Sequence, residues 1–241
     1  MSRFQDHLQI WSDGGYYEFV PELNNYVLTG ACSKVMTLPH LDTALTSLGS
    51  GEFLQTMVWN RETHWPTFDA LVDDINVEMK WTHEHLTRFY RGQNRPIAAA
   101  IYLGGFSTSR DRWEMYRAFI DSGGALQELQ PQPETVISPV PTPEDCAAAS
   151  LSFDGKHLKL NTELDMVLLM QAMRLHREAI DAGENPPIGH GLGCHVQRVV
   201  VRRNQVFSEI VHRWDDEVGK PITPKDGEVE AIMAKFAEKH E

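Results

Sequence analysis

Over the first fifty residues, apolar and polar positions alternate in short bursts: Leu8-Gln9-Ile10-Trp11, Tyr16-Tyr17-Glu18-Phe19-Val20 and Tyr26-Val27-Leu28. They are separated by Asp13-Gly14-Gly15 and Pro21-Glu22-Leu23-Asn24-Asn25. Such bursts between turn-forming clusters predict consecutive antiparallel strands. Lys34 to Leu38 and Thr43 to Leu48 predict two more, divided by Pro39-His40 and ending at Gly49-Ser50-Gly51. The period then changes. A short helix is expected over about residues 52–60, and from Phe68 the apolar residues fall at Phe68, Leu71, Val72, Ile75, Met79, Leu86 and Phe89, with Thr82 filling the remaining step, one face of a long helix. Thr67 after Pro66 is its expected N-cap, Asp69 suits the positive end of its dipole, and Gly92 is its stop.

Ile97 to Leu103, ending in Gly104-Gly105, and Trp113 to Ile120, ending in Ser122-Gly123-Gly124, predict two strands, the first buried on both faces. Four prolines between Pro131 and Pro143 mark an irregular connection. Thr162 and Asp165 form a capping box for a second strong helix, with Gly183 as its end. Its segment Leu164 to Met173 is apolar nearly all round and belongs in a packed layer. His195 to Arg202 and Val206 to Trp214 predict a hairpin, and Val229, Ile232, Met233 and Phe236 one face of a terminal helix. Strands, two helices, strands, a helix and strands in that order predict an α+β layered fold and exclude singly alternating Rossmann or barrel topologies. Residues 1–223 are expected to form one domain with the proline-rich connection at 131–143, and 224–241 a helical tail.

With 22 Lys and Arg against 34 Asp and Glu, the 241 residues carry a net charge of −12, which repels nucleic acid and anionic membranes. No run of 18 apolar residues occurs, the start lacks a signal-peptide pattern, and Cys32, Cys146 and Cys194 form no disulfide framework. A cytoplasmic protein is the expectation.

Three motifs carry more. Asp13-Gly14-Gly15 follows the first strand, Ser33-Lys34-Val35 starts a later one, and Gly49-Ser50-Gly51 leads from a strand into the first helix. In register with the helix pair and the strands at Ile97 and Trp113, they resemble the proteasome β-subunit group of N-terminal-nucleophile hydrolases, which includes the bacterial HslV peptidase. The resemblance covers about Leu8 to Trp214. It implies a four-layer αββα sandwich of two antiparallel sheets flanked by helices, with no cofactor and no metal, self-association, and a peptide or amide substrate. It also implies that Ser2, exposed by removal of Met1, is the nucleophile and its α-amine the base, since a terminal amine titrates near pH 8. By the same resemblance Lys34 supplies positive potential, Asp13 orients it, and the Gly49 N–H is an oxyanion donor.

Without the family, Lys34 reads as a solvated lysine, Asp13 as a turn residue and Gly49 as a tight corner. Fewer residues separate Ser2 from Asp13 than the family has. A deficit of ~4 residues at ~3.3 Å each leaves the terminus ~13 Å short of the lysine. After Ser122-Gly123-Gly124 the chain enters its proline-rich stretch instead of the family's supporting helix. The second departure counts against catalysis and against the family's ring-forming contacts alike; the short N-terminus favours the alternative, a catalytically silent relative that works in binding or assembly, while Asp13, Lys34 and Gly49 favour descent from a hydrolase.

The remaining clusters read as structure. His190-Gly191-Leu192-Gly193-Cys194-His195 lacks the paired cysteines of a zinc site, and Gly189-x-Gly191-x-Gly193 precedes a strand, so no helix N-terminus could receive a phosphate. Cys32 reads as a structural thiol, because neighbours on a strand face opposite ways and it cannot share a site with Ser33.

Overall fold

In the computed structural model, which describes residues 1–23, 25–59, 64–93, 95–151, 158, 160–179 and 188–238, the alternating segments become strands. In chain order these are β1 (Ser2–Arg3), β2 (Leu8–Asp13), β3 (Gly15–Val20), β4 (Asn25–Ala31), β5 (Val35–Leu38) and β6 (Thr43–Gly49), and then helices α1 (Gly51–Trp59) and α2 (Phe68–Phe89). β7 (Ala99–Ser107), β8 (Arg112–Ile120) and β9 (Leu126–Pro131) follow, then α3 (Pro143–Ala148), α4 (Glu163–Leu175), β10 (Arg177–Ala179), β11 (Ile188–His190), β12 (His195–Arg202), β13 (Gln205–Arg213) and α5 (Glu228–Glu238). One sheet has the order β5-β6-β7-β8-β9 and is antiparallel throughout. A second has the order β1-β2-β12-β13, and two-stranded ribbons pair β3 with β4 and β10 with β11. The protein is α+β, with antiparallel sheets and helices.

The chain clusters into two compact units. The first comprises Met1–Ile10, Lys34–Val136 and Val199–Ser208, and the second Trp11–Ser33, Ile137–Arg198 and Glu209–Glu241.

In the first unit, period 2 on the sheet sorts side chains between two cores. Leu45, Ala99, Ile101, Leu103, Ala118 and Ile120 face Phe53, Met57, Phe68, Leu71, Ile75 and Met79 of α1 and α2. On the opposite face Ala44, Trp113 and Met115 meet Leu8, Ile10, Val199 and Val201. Helices, sheet and second sheet therefore stack as layers within this unit. α2 begins where the sequence places it, with Thr67 Oγ1 accepting from the Ala70 N–H at 3.1 Å. Its buried face follows the expected stripe except at the end, where Phe89 is exposed and stacks edge-on with Tyr90. Thr82 is buried in the stripe as expected, and Glu78 and His83 are buried beside it.

Gly104-Gly105 does not end β7, contrary to the sequence expectation; the strand runs on to Ser107. The glycines answer a packing demand. A Cβ on Gly104 would fall 2.6 Å from a Leu8 methyl, and one on Gly105 2.4 Å from the Phe68 ring.

In the second unit, α3, α4 and α5 pack over Leu192, Val196, Val211 and Trp214. α4 has the expected capping box, Thr162 accepting from Asp165 N–H and Asp165 accepting from the Thr162 N–H. It ends at Leu175, well before the expected Gly183, which lies outside the described residues. His176 is already extended, and the chain enters β10, whose Arg177 pairs with His190 of β11.

Arg174, near the end of α4, has no solvent exposure. Its guanidinium donates to both oxygens of Asp216 at 2.9 and 2.8 Å, to both oxygens of Glu228 at 3.0 and 3.1 Å, and to the Leu192 carbonyl at 3.0 Å. It also lies 4.8 Å from the Trp214 ring centre. Burial alone would pull its pKa down, but the hydrogen bonds that it donates to Glu228 and Asp216 outweigh burial and raise it. α4 and α5 are joined through this charge cluster and through Gln171, which donates to Glu228 and accepts from the Trp214 indole.

His212 faces the same helices, with its Nδ1 buried and unpartnered. Burial first, then the charge of Lys235, lowers its pKa from 6.5 to about 4. Between those values the unfolded chain takes up a proton at this site that the folded chain refuses. Unfolding midpoints should therefore fall as pH drops from 6.5 towards 4, and a His212→Phe variant, followed by urea unfolding across that range, should show a shallower fall.

Candidate functional site

β6 ends at Gly49, and α1 begins two residues later. Gly49 has φ +102, and a Cβ there would lie 2.3 Å from the Ala98 carbonyl oxygen, so only glycine fits this corner. Ser50 fastens it: its N–H donates to Ala98 O at 2.8 Å, its hydroxyl accepts from Ala98 N–H at 3.2 Å, and its carbonyl accepts from Phe53 N–H at 3.0 Å. Glu52, in the first turn of α1, is held by the Arg95 guanidinium at 2.9 and 3.0 Å.

Lys34 immediately precedes β5 and is half-buried. Val35 is in register with Thr46, so the Lys34 backbone runs beside Ser47, two residues or ~7 Å of strand from Gly49. The two sequence-predicted residues Lys34 and Gly49 thus share one end of the five-stranded sheet.

Ser2 is held elsewhere in the same unit. It pairs with Gln9 of β2 and bridges to Thr135. On either side the Met1 amine donates to Val136 O at 2.9 Å, and Arg3 N–H donates to Glu134 O at 2.7 Å. The Met1 amine is buried, which lowers its pKa to about 6. The Met1 sulfur would lie 3.1 Å from a Cβ at Gly104, and the Arg3 guanidinium donates to the Trp113 carbonyl at 3.3 Å.

Gly49 is in register with Ala99, and Ala99 with Ile120. From that row, Gly104 is five residues along β7 and Trp113 seven along β8, or ~16 and ~23 Å. The anchors of β1 therefore lie towards the opposite end of the sheet from Gly49, whereas an attacking hydroxyl and its oxyanion donor must serve one reacting carbonyl, about 3 Å from each.

Asp13 belongs to the second unit, at the C-terminal end of β2. Its buried carboxylate accepts from Gly15 N–H at 3.0 Å, from Gly193 N–H at 3.3 Å and, in a short contact, from the Tyr17 hydroxyl. Burial, and then the Asp13 charge and hydrogen bond, push the Tyr17 phenol well above its ordinary range. The neighbouring Gly14 donates its N–H to His195 O at 3.0 Å, and a Cβ there would overlap the His195 imidazole, 1.9 Å from its nearest atom. Asp13-Gly14-Gly15 is thus more than a turn. It joins the β3-β4 ribbon to the start of β12 through a carboxylate with several donors. Sequence reasoning missed this because Gly193 and His195 lie some 180 residues away.

The other constellations resolve locally. The His190 Nδ1–H donates to the Arg174 carbonyl at 2.9 Å, and Cys194 N–H donates to Asp216 at 2.7 Å. Burial raises the Cys194 and Cys146 thiol pKa values, with Asp216 and Asp145 adding to it, so neither thiol is activated. Among the described residues no group of three or more His, Cys, Asp or Glu could hold a metal ion. No helix among them is long and apolar enough to cross a membrane.

No protein-family model matches this chain, and no curated protein does. Among solved structures it is similar to the Anbu (Gly-1) mutant from Hyphomicrobium sp. strain MC1. That likeness has 12% sequence identity and a TM-score of 0.48, and covers 99% of this chain and 93% of the other.

Proposed function

We propose that this chain is a proteasome-subunit-like protein of the N-terminal-nucleophile hydrolase type that acts by binding and assembly rather than by cleaving amides. The family reading rests on the motif order at Asp13, Lys34 and Gly49. It is supported by the strand-to-helix corner at Gly49-Ser50-Gly51 and by the order of strands, helix pair and strands around it. The observation that carries the silent reading is the anchoring of Ser2 in β1 beside Thr135, with the anchors of Met1 and Arg3 ~16 and ~23 Å of strand from the Gly49 row. Self-association through the layered fold belongs to this proposal.

A second reading, an amide or peptide hydrolase, is favoured by the shared position of Lys34 and Gly49 at one sheet end. In it Ser2, freed of Met1, attacks a carbonyl carbon while its α-amine takes the hydroxyl proton and delivers it to the leaving amine; water, deprotonated by the same amine, then attacks the acyl-serine ester, releasing the acid and returning the proton to the Ser2 oxygen. Lys34 stabilises the alkoxide, and the Gly49 N–H holds the oxyanion. This requires β1 to detach from Gln9 and Thr135.

Intact mass after treatment with a serine-reactive β-lactone separates the two readings. The proposal predicts an unmodified chain and no peptide hydrolysis. A single adduct mapped to Ser2, lost in Ser2→Ala together with hydrolysis, would establish the hydrolase instead.

A further inference from the structure

α2, in the first unit, turns one face away from its core, and the charges on that face are ordered. Asp73, Val77, Lys80, Glu84, Arg88 and Arg91 follow one another at steps of 3 or 4, with 18 residues or five full turns from first to last, so they line one side of the helix. All are exposed, as are Asp74 and His85. Acid stands towards the start, at Asp73 and Asp74. Base stands at the end, at Arg88 and at Arg91 just past the C-cap Tyr90, with Lys80 and Glu84 between. The helix dipole favours this polarity only in the first and last turns, and Asp73, Asp74, Lys80 and Glu84 lie outside both.

These charges find little to pair with inside the chain. Among the described residues the face holds one ion pair, Glu84 with Arg88 at 3.9 Å, both side chains largely exposed, and Asp73, Asp74, Lys80 and Arg91 enter none. The middle of the face is apolar. Val77 is 65% exposed, and half-buried Trp81, one turn further on, stacks its ring on His85 with centroids 5.1 Å apart. A valine standing in water beside a stacked ring pair gains by being covered.

A second copy of the same face completes it. When two such helices lie antiparallel about a two-fold axis, residues equally far on either side of the axis face each other. With the axis at the level of Trp81 and Thr82, Lys80 falls opposite Glu84 of the second copy, each two positions from Thr82, and Asp73 opposite Arg91, each nine positions from it. Asp74 falls opposite Arg88, each seven positions from Trp81. Symmetry makes every one of these opposite-charge pairings twice, and Val77 comes to lie on the Trp81–His85 stack of the second copy. A parallel pair would set Asp73 on Asp73 and Arg88 on Arg88, so the charges select the antiparallel arrangement.

We propose that the chain forms a symmetric dimer through α2, the two helices antiparallel about a two-fold axis at Trp81 and Thr82. This deepens the binding-and-assembly reading, on which it rests, by giving self-association a surface and a geometry. A helix of 22 residues offers a face ~33 Å long and ~10 Å wide. That is small for an interface, so the expected Kd is ~10 μM. Its exposed ion pairs set direction and partner more than strength.

The test is sedimentation equilibrium of the full chain at up to ~100 μM, where a dimer of that affinity predominates. One charge-reversed variant carries Asp73→Lys with Asp74→Lys, and the other Arg88→Glu with Arg91→Glu. Each alone sets like charges against one another and should self-associate ~100-fold more weakly or worse. An equimolar mixture of the two restores attraction at every pairing and should form the dimer again. An unaltered chain that stays monomeric, variants that self-associate as tightly as the unaltered chain, or a mixture that stays monomeric would each overturn the proposal. Oligomers that persist in both variants would leave assembly through another face standing, whereas a monomeric unaltered chain would remove self-association itself. Neither result touches the lactone test of Ser2.

Discussion

Replacing Arg174 by alanine is expected to lower the thermal unfolding midpoint by roughly 6–20 °C. The substitution leaves the Asp216 and Glu228 carboxylates facing one another with their shared cation gone, and side-chain exposures of only 5% and 13% give water little access to them. Removing one partner of a buried pair typically costs ~3–5 kcal/mol. For a chain of this length each kcal/mol moves the midpoint by roughly 2–4 °C. Lysine at the same position keeps the charge but loses the fork that reaches both carboxylates and the Leu192 carbonyl, so Arg174→Lys should recover only part of the loss. Calorimetry or circular dichroism melting of the two variants checks both statements. A midpoint for Arg174→Ala within ~2 °C of the unaltered protein would show that the cluster contributes little.

Gly49→Ala should be nearly as damaging, at ~3 kcal/mol or more. It meets two separate costs, a left-handed backbone that penalises any Cβ by ~1–2 kcal/mol, and a methyl group forced to within 2.3 Å of the Ala98 carbonyl oxygen. Gly92 isolates the first cost. It has a similar φ of +88 but nothing within 4 Å of its would-be Cβ, so Gly92→Ala should cost only ~1 kcal/mol. Urea unfolding of the two variants gives the difference. If they prove equally stable, the corner between β6 and α1 is looser than its geometry implies.

Where local pattern and tertiary packing agreed, the sequence was enough to place the element. α2 starts after Thr67 because cap, dipole and apolar stripe coincide there, and β5, β6 and β8 fall within a residue of the expected positions. The misses have physical causes. β9, Leu-Gln-Glu-Leu-Gln-Pro, is polar and largely exposed at the edge of its sheet, and so lacks the alternation that betrays a half-buried strand. α3 is only six residues long and sits at the end of the proline-rich stretch, although its Thr142 and Asp145 capping box and the proline in its first turn were readable. Gly104-Gly105 reads as a stop because glycine usually is one, whereas here it admits Leu8 and Phe68 against the strand. α4 ends early because the β10-β11 pairing takes over where periodicity alone would have continued the helix.

The candidate site divides in the same way. The closeness of Lys34 and Gly49 along neighbouring strands followed from their positions at the start of one strand and the end of the next. The environment of Asp13 could not be read, since Gly193 reaches it from the far end of the chain.

The silent reading proposed above rests on the position of Ser2, and short-range proton contacts in a nuclear Overhauser spectrum measure it directly. Cross-peaks from the Ser2 β-protons to Gln9 and Thr135, with none to Gly49 or to the Lys34 side chain, are the predicted result. A cross-peak between Ser2 and the Gly49 amide would bring the hydroxyl to the oxyanion corner and contradict the silent assignment.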